Sequence, residues 1–149
     1  MTRLDGHEGF SLLEVMTALV VLAVGMLGLA AMQEMALNKN VDANELTVAT
    51  NLAVEMIERI EYNPKNVTAY NGIDVSSASA TCPGTSQMAA GDCAQWRTRL
   101  VAARLPSVRG TVSVATTGPA SLNEWQVTVT IRWTGMITPL TMTHIVSLG

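Results

Sequence analysis

Aromatic residues are scarce: one Phe, two Tyr and three Trp make up 4% of a chain that is 48% apolar. The apolar material is therefore mostly Leu, Val, Ala and Met. No aromatics beyond Trp96 are interleaved with the basic residues, and no nucleic-acid motif is present, so nucleic acid is not an expected partner. Histidine and cysteine are nearly absent as well, with two of each. That leaves no metal cluster, and neither a nucleophile–base set nor a phosphate-binding loop is visible. The chain is not expected to be an enzyme or to hold a cofactor or metal. Proline first occurs at Pro64, so no breaker interrupts the first 63 residues. No small-residue cleavage site follows the early apolar run; Ala30-Ala31-Met32 is the nearest, and the helical pattern continues past it. An ordinary secretory signal is thereby disfavoured.

Charge is sparse and unevenly placed. Net charge is -3, which alone says little about partners. Residues 10–62 hold seven acids (Glu14, Glu34, Asp42, Glu45, Glu55, Glu58, Glu61) and two bases (Lys39, Arg59). Residues 63–149 hold three acids (Asp74, Asp92, Glu124) and six bases (Lys65, Arg97, Arg99, Arg104, Arg109, Arg132). The first part is acidic and the rest mildly basic. This pattern fits solvated faces of opposite sign, or a head that meets an anionic partner.

What is present is organised around Gly9-Phe10-Ser11-Leu12-Leu13-Glu14 and the apolar run that ends at Met32. Residues 10–32 span roughly 35 Å at about 1.5 Å per residue, enough to cross a bilayer core. A domain of this size is too small to surround so long an apolar helix. Arg3 and the amino terminus lie on one side, and no excess of Lys or Arg follows the span, which places the leader in the cytoplasm. Glu14 is the anomaly: a carboxylate at a membrane helix centre costs about 2.5–3.5 kcal/mol on insertion scales, less near the end. Either it snorkels to the interface or it finds a cation in an assembled state. If the chain is cut after Gly9, the new amino group of Phe10 is such a cation, and between neighbouring offset subunits the two groups can neutralise each other.

Gly9, Phe10-Ser11-Leu12-Leu13-Glu14-Val15 and the span behind them resemble the class III signal of type IV pilins and secretion pseudopilins. The resemblance implies that a prepilin peptidase cuts between Gly9 and Phe10 and methylates the amino group of Phe10, and that Glu14 serves filament assembly. The leader departs from the pattern, with Glu8 beside the cut and little positive charge. Gly25 and Gly28 lie inside the span. They fit small residues at a helix–helix contact, or a weak point where the helix loosens, since the proline that major pilins usually carry near Ala31 is missing.

Beyond Val41 the pattern turns amphipathic, with Leu46, Ala49, Leu52, Ala53, Met56 and Ile60 at three- and four-residue steps. The spacing predicts one helix over residues 10–62, roughly 80 Å long, ended by Asn63-Pro64. Residues 65–91 read as a long loop. Residues 92–105 read as a second helix capped by Asp92, with Gln95 completing a variant capping box. Trp96, Leu100 and Ala103 form its stripe, and Leu105-Pro106 stops it. Three strands follow: Thr111 to Thr116; the alternation Trp125, Val127, Val129, Ile131, Trp133; and a last one marked by Leu140, Met142, Val146 and Leu148. The expected fold is α+β and type IV pilin-like, a long N-terminal helix packed on an antiparallel sheet with a short second helix. The domain division is leader 1–9, long helix 10–62 with 10–32 as transmembrane segment and filament core, and head 63–149.

Cys82 and Cys93 permit one disulfide without establishing it. The orientation places both outside the cytoplasm, and no other cysteine lies near, so a disulfide is favoured over a metal site. His144, the only histidine of the head, reads as a polar neighbour on a strand.

Val24 to Ala30, Leu52 to Ile60 with Asn63-Pro64, and Asp92 to Trp96 with Leu105-Pro106 are similar to the PilV family of minor type IV pilins, over most of the chain except residues 65–91. That likeness implies a low-abundance subunit, anchored in the inner membrane with a periplasmic head and then carried into the extracellular pilus. Its partners would be the prepilin peptidase and the other minor and major pilins, and its role would lie in pilus biogenesis, adhesion or motility. The rival readings are a type II secretion pseudopilin, a DNA-binding competence pilin that uses Arg97, Arg99 and Arg104, and a permanently anchored envelope protein.

Overall fold

The computed structural model describes residues 11–118 and 123–147. Two units divide the chain, Met1–Asp42 and Ala43–Gly149. In the first, the described residues from Leu12 onward are helical and exposed throughout. This helix, α1 (Leu12–Glu61), has 50 residues and ends within the second unit. Its amphipathic pattern has its cause there: Ala49, Leu52, Ala53, Met56, Ile57 and Ile60 are buried against the head. Leu46, expected in the same stripe, is exposed, and the fully buried positions of α1 begin at Ala49.

After Glu61 the chain enters a 3-10 helix, Pro64–Tyr70. Pro64 lacks the N–H that a first helical position leaves unused. Strand β1 (Ile73–Ser76) and the two-residue β2 (Ala80–Thr81) follow, joined by a tight turn in which Ser76 N donates to Ser79 O at 2.7 Å. Helix α2 (Gln87–Ala102) comes next. Then come β3 (Arg109–Thr116), β4 (Glu124–Arg132) and β5 (Leu140–Ser147). The sheet has five strands in the order β2-β1-β3-β4-β5, and every neighbouring pair is antiparallel. The result is the pilin-like α+β arrangement: the C-terminal half of α1 and the shorter α2 against one antiparallel sheet.

Three expectations are corrected. Residues 65–91 are not a loop; they hold the 3-10 helix, β1, β2 and the first turn of α2. The three-stranded meander over β3, β4 and β5 is extended by two strands. Helix α2 starts at Gln87, not at residue 92, and its cap is Ser86, whose side chain accepts from Ala89 N. Asp92 lies inside the helix, turned toward α1 and the 3-10 helix.

The core joins these layers. Trp96, fully buried, is its largest side chain. Its ring approaches β3 so closely that a Cβ at Gly110 would lie 2.5 Å from Cη2 and 2.8 Å from Cζ3, and 2.8 Å from Leu100 Cδ1. Glycine is therefore required at that point of the strand by the space the indole occupies. The inward positions of β4 (Val127, Val129, Ile131) are buried while Gln126 and Arg132 face solvent, as a half-covered antiparallel sheet demands.

Three polar contacts tie α1 to the rest of this unit at seven-residue steps. Trp133 Nε1 donates to Glu45 Oε2 at 2.7 Å. Trp96 Nε1 donates to the Leu52 carbonyl at 2.9 Å. Arg59 donates to Asp92 Oδ1 at 2.9 Å and to Gln95 Oε1 at 3.0 Å on α2. Residues seven apart lie nearly one above the other on an α-helix, so the three contacts fall along one side of α1.

Candidate functional site

The first turn of α1 is built on Ser11, whose carbonyl accepts from Glu14 N at 2.9 Å and Val15 N at 3.3 Å. Glu14 sits in that turn and is exposed. A carboxylate at a helix N-terminus faces the positive end of the helix dipole, which offsets part of its cost in an apolar setting. Thr17, one turn on, turns its hydroxyl back to the Glu14 carbonyl at 2.9 Å, which satisfies a second polar group on an otherwise apolar helix surface. The stretch that follows contains an 18-residue window of mean hydropathy 2.4, none of it buried. Leu13, Val21, Leu27 and Met32 are each more than two-thirds exposed. Among the described residues this is the one helix long and apolar enough to cross a membrane.

Gly25 and Gly28 lie within the continuous helix, and a Cβ at either would meet nothing within 4 Å. The packing of this chain alone gives no reason for glycine at these positions. Gly9 and Phe10 lie outside the described residues.

Residues 5–30 match the prokaryotic N-terminal methylation motif. That stretch contains Gly9, Phe10, Glu14, Gly25 and Gly28. No curated protein matches the chain, and no solved structure matches it either. The protein thus carries a class III methylation signal in front of a pilin-like α+β head. The motif implies, in general terms, processing by a prepilin peptidase, membrane anchoring before assembly, and assembly with pilins. Pilin-like proteins are generally structural rather than catalytic.

The head is closed by the Cys82–Cys93 disulfide, with Cα atoms 5.7 Å apart. It joins the residue after β2 to the middle of α2, where Cys93 is fully buried. The shortest strand of the sheet is thereby pinned to the helix beside it.

A charged cluster forms where α1, α2 and the 3-10 helix meet. Glu55 accepts from Arg59 Nη2 at 2.8 Å and pairs with Arg99 Nε at 2.7 Å. Asp92 takes Arg59 on one oxygen and the Tyr70 hydroxyl, at 2.7 Å, on the other. Asn63 Nδ2 donates to the same hydroxyl at 3.2 Å. Burial pushes the Tyr70 phenol up to about 12; the Asn63 bond opposes that shift and Asp92 adds to it. Burial would lower Arg59, but its bonds to Glu55 and Asp92 outweigh it and hold the guanidinium above its ordinary value. Every charge here has a partner, so the cluster reads as a joint between helices.

Three of the head's six basic residues, Arg97, Arg99 and Arg109, are engaged within the fold. Arg97 donates to the carbonyls of Ser76 and Ser77 at 3.1 and 3.2 Å. Arg99 holds Glu55, and Arg109 Nε donates to Asp74 Oδ1 at 2.7 Å. That bond keeps the Asp74 carboxyl below its ordinary range despite some burial. His144 stands on β5 against the Glu61 carboxylate. Among the described residues no group of three or more His, Cys, Asp or Glu is placed to hold a metal. Sequence reasoning missed the Arg59–Asp92–Tyr70 cluster, the Trp133–Glu45 contact and the role of Gly110. Only the placement of Asp92 beside an apolar stripe hinted at the first.

Proposed function

We propose that this chain is a minor subunit of a type IV pilus of the PilV kind. It is cut between Gly9 and Phe10, methylated on the amino group of Phe10, and anchored in the inner membrane by residues 10–32. It then enters the filament with its head outward, where it serves pilus biogenesis, adhesion or motility. One observation carries the reading: a methylation motif leads directly into an unburied apolar helix whose far half is the core helix of a disulfide-closed head. Among the described residues nothing packs on the first half of this helix, and assembly with other pilins supplies a partner. Glu14 is the group that pairs with a neighbour's methylated amine, an attraction that grows as both leave water. The open space around Gly25 and Gly28 leaves both free to meet a neighbouring helix, and a point where the helix loosens on packing is the other role they fit.

N-terminal mass spectrometry of the protein purified from membranes tests the processing. A methylated Phe10 is expected, and a mature chain beginning at Met1 refutes the proposal. A type II secretion pseudopilin shares the same start. The disulfide-closed head favours the pilus, and recovery of sheared pili from a strain lacking this chain separates the two: fewer or altered pili with intact secretion is the expected outcome.

A further inference from the structure

Arg109 and Arg132 stand directly opposite each other, at the start of β3 and the end of β4. Thr111 and Thr130 oppose each other two residues further along the pair. All four alternate with the buried residues Gly110, Val112 and Ile131, so their side chains share the outward face of the sheet. Like charges directly opposite on an antiparallel pair repel. One carboxylate answers them. Asp74, on β1 across from Thr111, accepts from Arg109 Nε at 2.7 Å and pairs with its Nη2 as well. β1 and β4 flank β3 on opposite sides, so Asp74 holds Arg109 from the side away from Arg132. Among the described residues no carboxylate lies within ion-pair distance of Arg132.

Arg109, Thr111, Thr130 and Arg132 line a cleft of about 160 Å³. That is smaller than the pocket of a drug-sized ligand and suits one compact group. The chemistry of the lining is that of a donor set: two guanidiniums and two threonine hydroxyls. Arg109 spends Nε and Nη2 on Asp74 and keeps Nη1. Guanidinium forks match the oxygens of a phosphate and bind them in pairs. Two guanidiniums against one carboxylate also leave one positive charge over. The cleft takes a single anionic group, whereas a nucleic acid presents a row of phosphates and needs a row of cations.

We propose that the cleft between Arg109 and Arg132 is a binding site for a phosphate group. Its oxygens take the fork of Arg132, the remaining Nη1 donors of Arg109 and the hydroxyls of Thr111 and Thr130. The bound group also relieves the repulsion across the β3–β4 pair. Free phosphate and the phosphodiester of a lipid headgroup both carry this chemistry. The inference stands apart from the filament reading, because it uses only the outward face of the sheet.

The test uses the full chain in maltoside micelles, which contain no phosphate. Inorganic phosphate is titrated in at constant ionic strength, and the nuclear resonances of the Thr111 and Thr130 amides are followed. A saturable shift is expected with phosphate and none when chloride replaces it. Arg132→Gln is expected to weaken binding at least fivefold. Arg132→Lys keeps the charge but loses the fork, leaves β4 undisturbed, and is expected to weaken binding at least twofold. Lys65→Gln, an exposed charge on the 3-10 helix, is expected to leave binding unchanged. A second arm repeats the titration in nanodiscs of phosphatidylglycerol. Resonances already shifted there and indifferent to added phosphate name the headgroup as the source; an unaltered response names free phosphate. A response that does not saturate, an equal response to chloride, or equal weakening in the Arg132 and Lys65 variants overturns the proposal.

Discussion

Gly110→Ala tests the packing at the centre of the head. The added methyl would lie 2.5 Å from Trp96 Cη2 and 2.8 Å from both Trp96 Cζ3 and Leu100 Cδ1. Carbon atoms in favourable contact sit about 3.5–4.0 Å apart, so the neighbours must move by about 1 Å. Trp96 is fully buried and its Nε1 is held by the Leu52 carbonyl, so a shift of the ring strains that bond as well. Overpacking of this kind costs about 1–3 kcal/mol. Weakening a buried hydrogen bond adds about 1 kcal/mol. The lower chain entropy of alanine returns about 0.4–1 kcal/mol through the unfolded state. The expected net loss is about 1–3.5 kcal/mol. It would be read from guanidinium unfolding of the full chain in micelles, followed by near-ultraviolet circular dichroism. A second background isolates the cause: with Trp96→Leu already present, Gly110→Ala should cost less than about 1 kcal/mol. A loss below about 0.5 kcal/mol in the wild-type background, or the same loss in both backgrounds, would refute the argument.

Cys93→Ser opens a loop of about a dozen residues and should lower stability by about 2–3 kcal/mol, measured by the same unfolding assay under non-reducing conditions. The Tyr70 phenol titrates at about 10 in the unfolded chain and at about 12 when folded. Its contribution is therefore complete below pH 10 and is lost as pH rises through 12. With an allowance for solvent screening that loss is about 1–2 kcal/mol, and it should be absent in Tyr70→Phe, so that the stability difference between wild type and variant falls by that amount across the window. Glu14→Ala should leave membrane insertion and N-terminal processing intact but reduce recovery of the subunit in sheared pili at least several-fold; normal recovery would dismiss the pairing with a neighbour's amine.

The long helix was legible because no proline interrupts it before Pro64, and because its two halves show two different apolar patterns, one all round and one striped. Strands β3 to β5 were legible from clean alternation. β1 was not: Ile73-Asp74-Val75-Ser76 alternates for only four residues, too few to stand out inside a stretch rich in Ser, Thr and Ala. β2 is defined by its pairing alone. The start of α2 was hidden by Gly91, which reads as a breaker. In the fold, glycine sits there at a cost of about 1 kcal/mol against alanine, offset by the burial of Ala89 and Cys93 beside it and by the disulfide. Asp92 reads as a cap because a carboxylate before an apolar stripe suits one. Its true partners, Arg59 and Tyr70, lie 33 and 22 residues away in the chain, a distance that local pattern does not cover. Around the first turn of α1 the chemistry was plain from the start: a lone carboxylate in an apolar run is costly unless something answers it.

The three attachments at Glu45, Leu52 and Arg59 bear on how the head responds to mechanical tension. They succeed one another along α1 at intervals of roughly 10 Å. A force drawn along the axis of this part of the helix meets them in shear, so the load is shared among the three and the Glu55–Arg99 and Glu61–His144 pairs beside them. A sideways force meets them one at a time, beginning at Trp133 and Glu45. The middle attachment accepts on a backbone carbonyl, not a side chain, so the indole registers the helix lengthwise without relying on a flexible arm. The same head therefore resists withdrawal of α1 better than it resists being peeled from it.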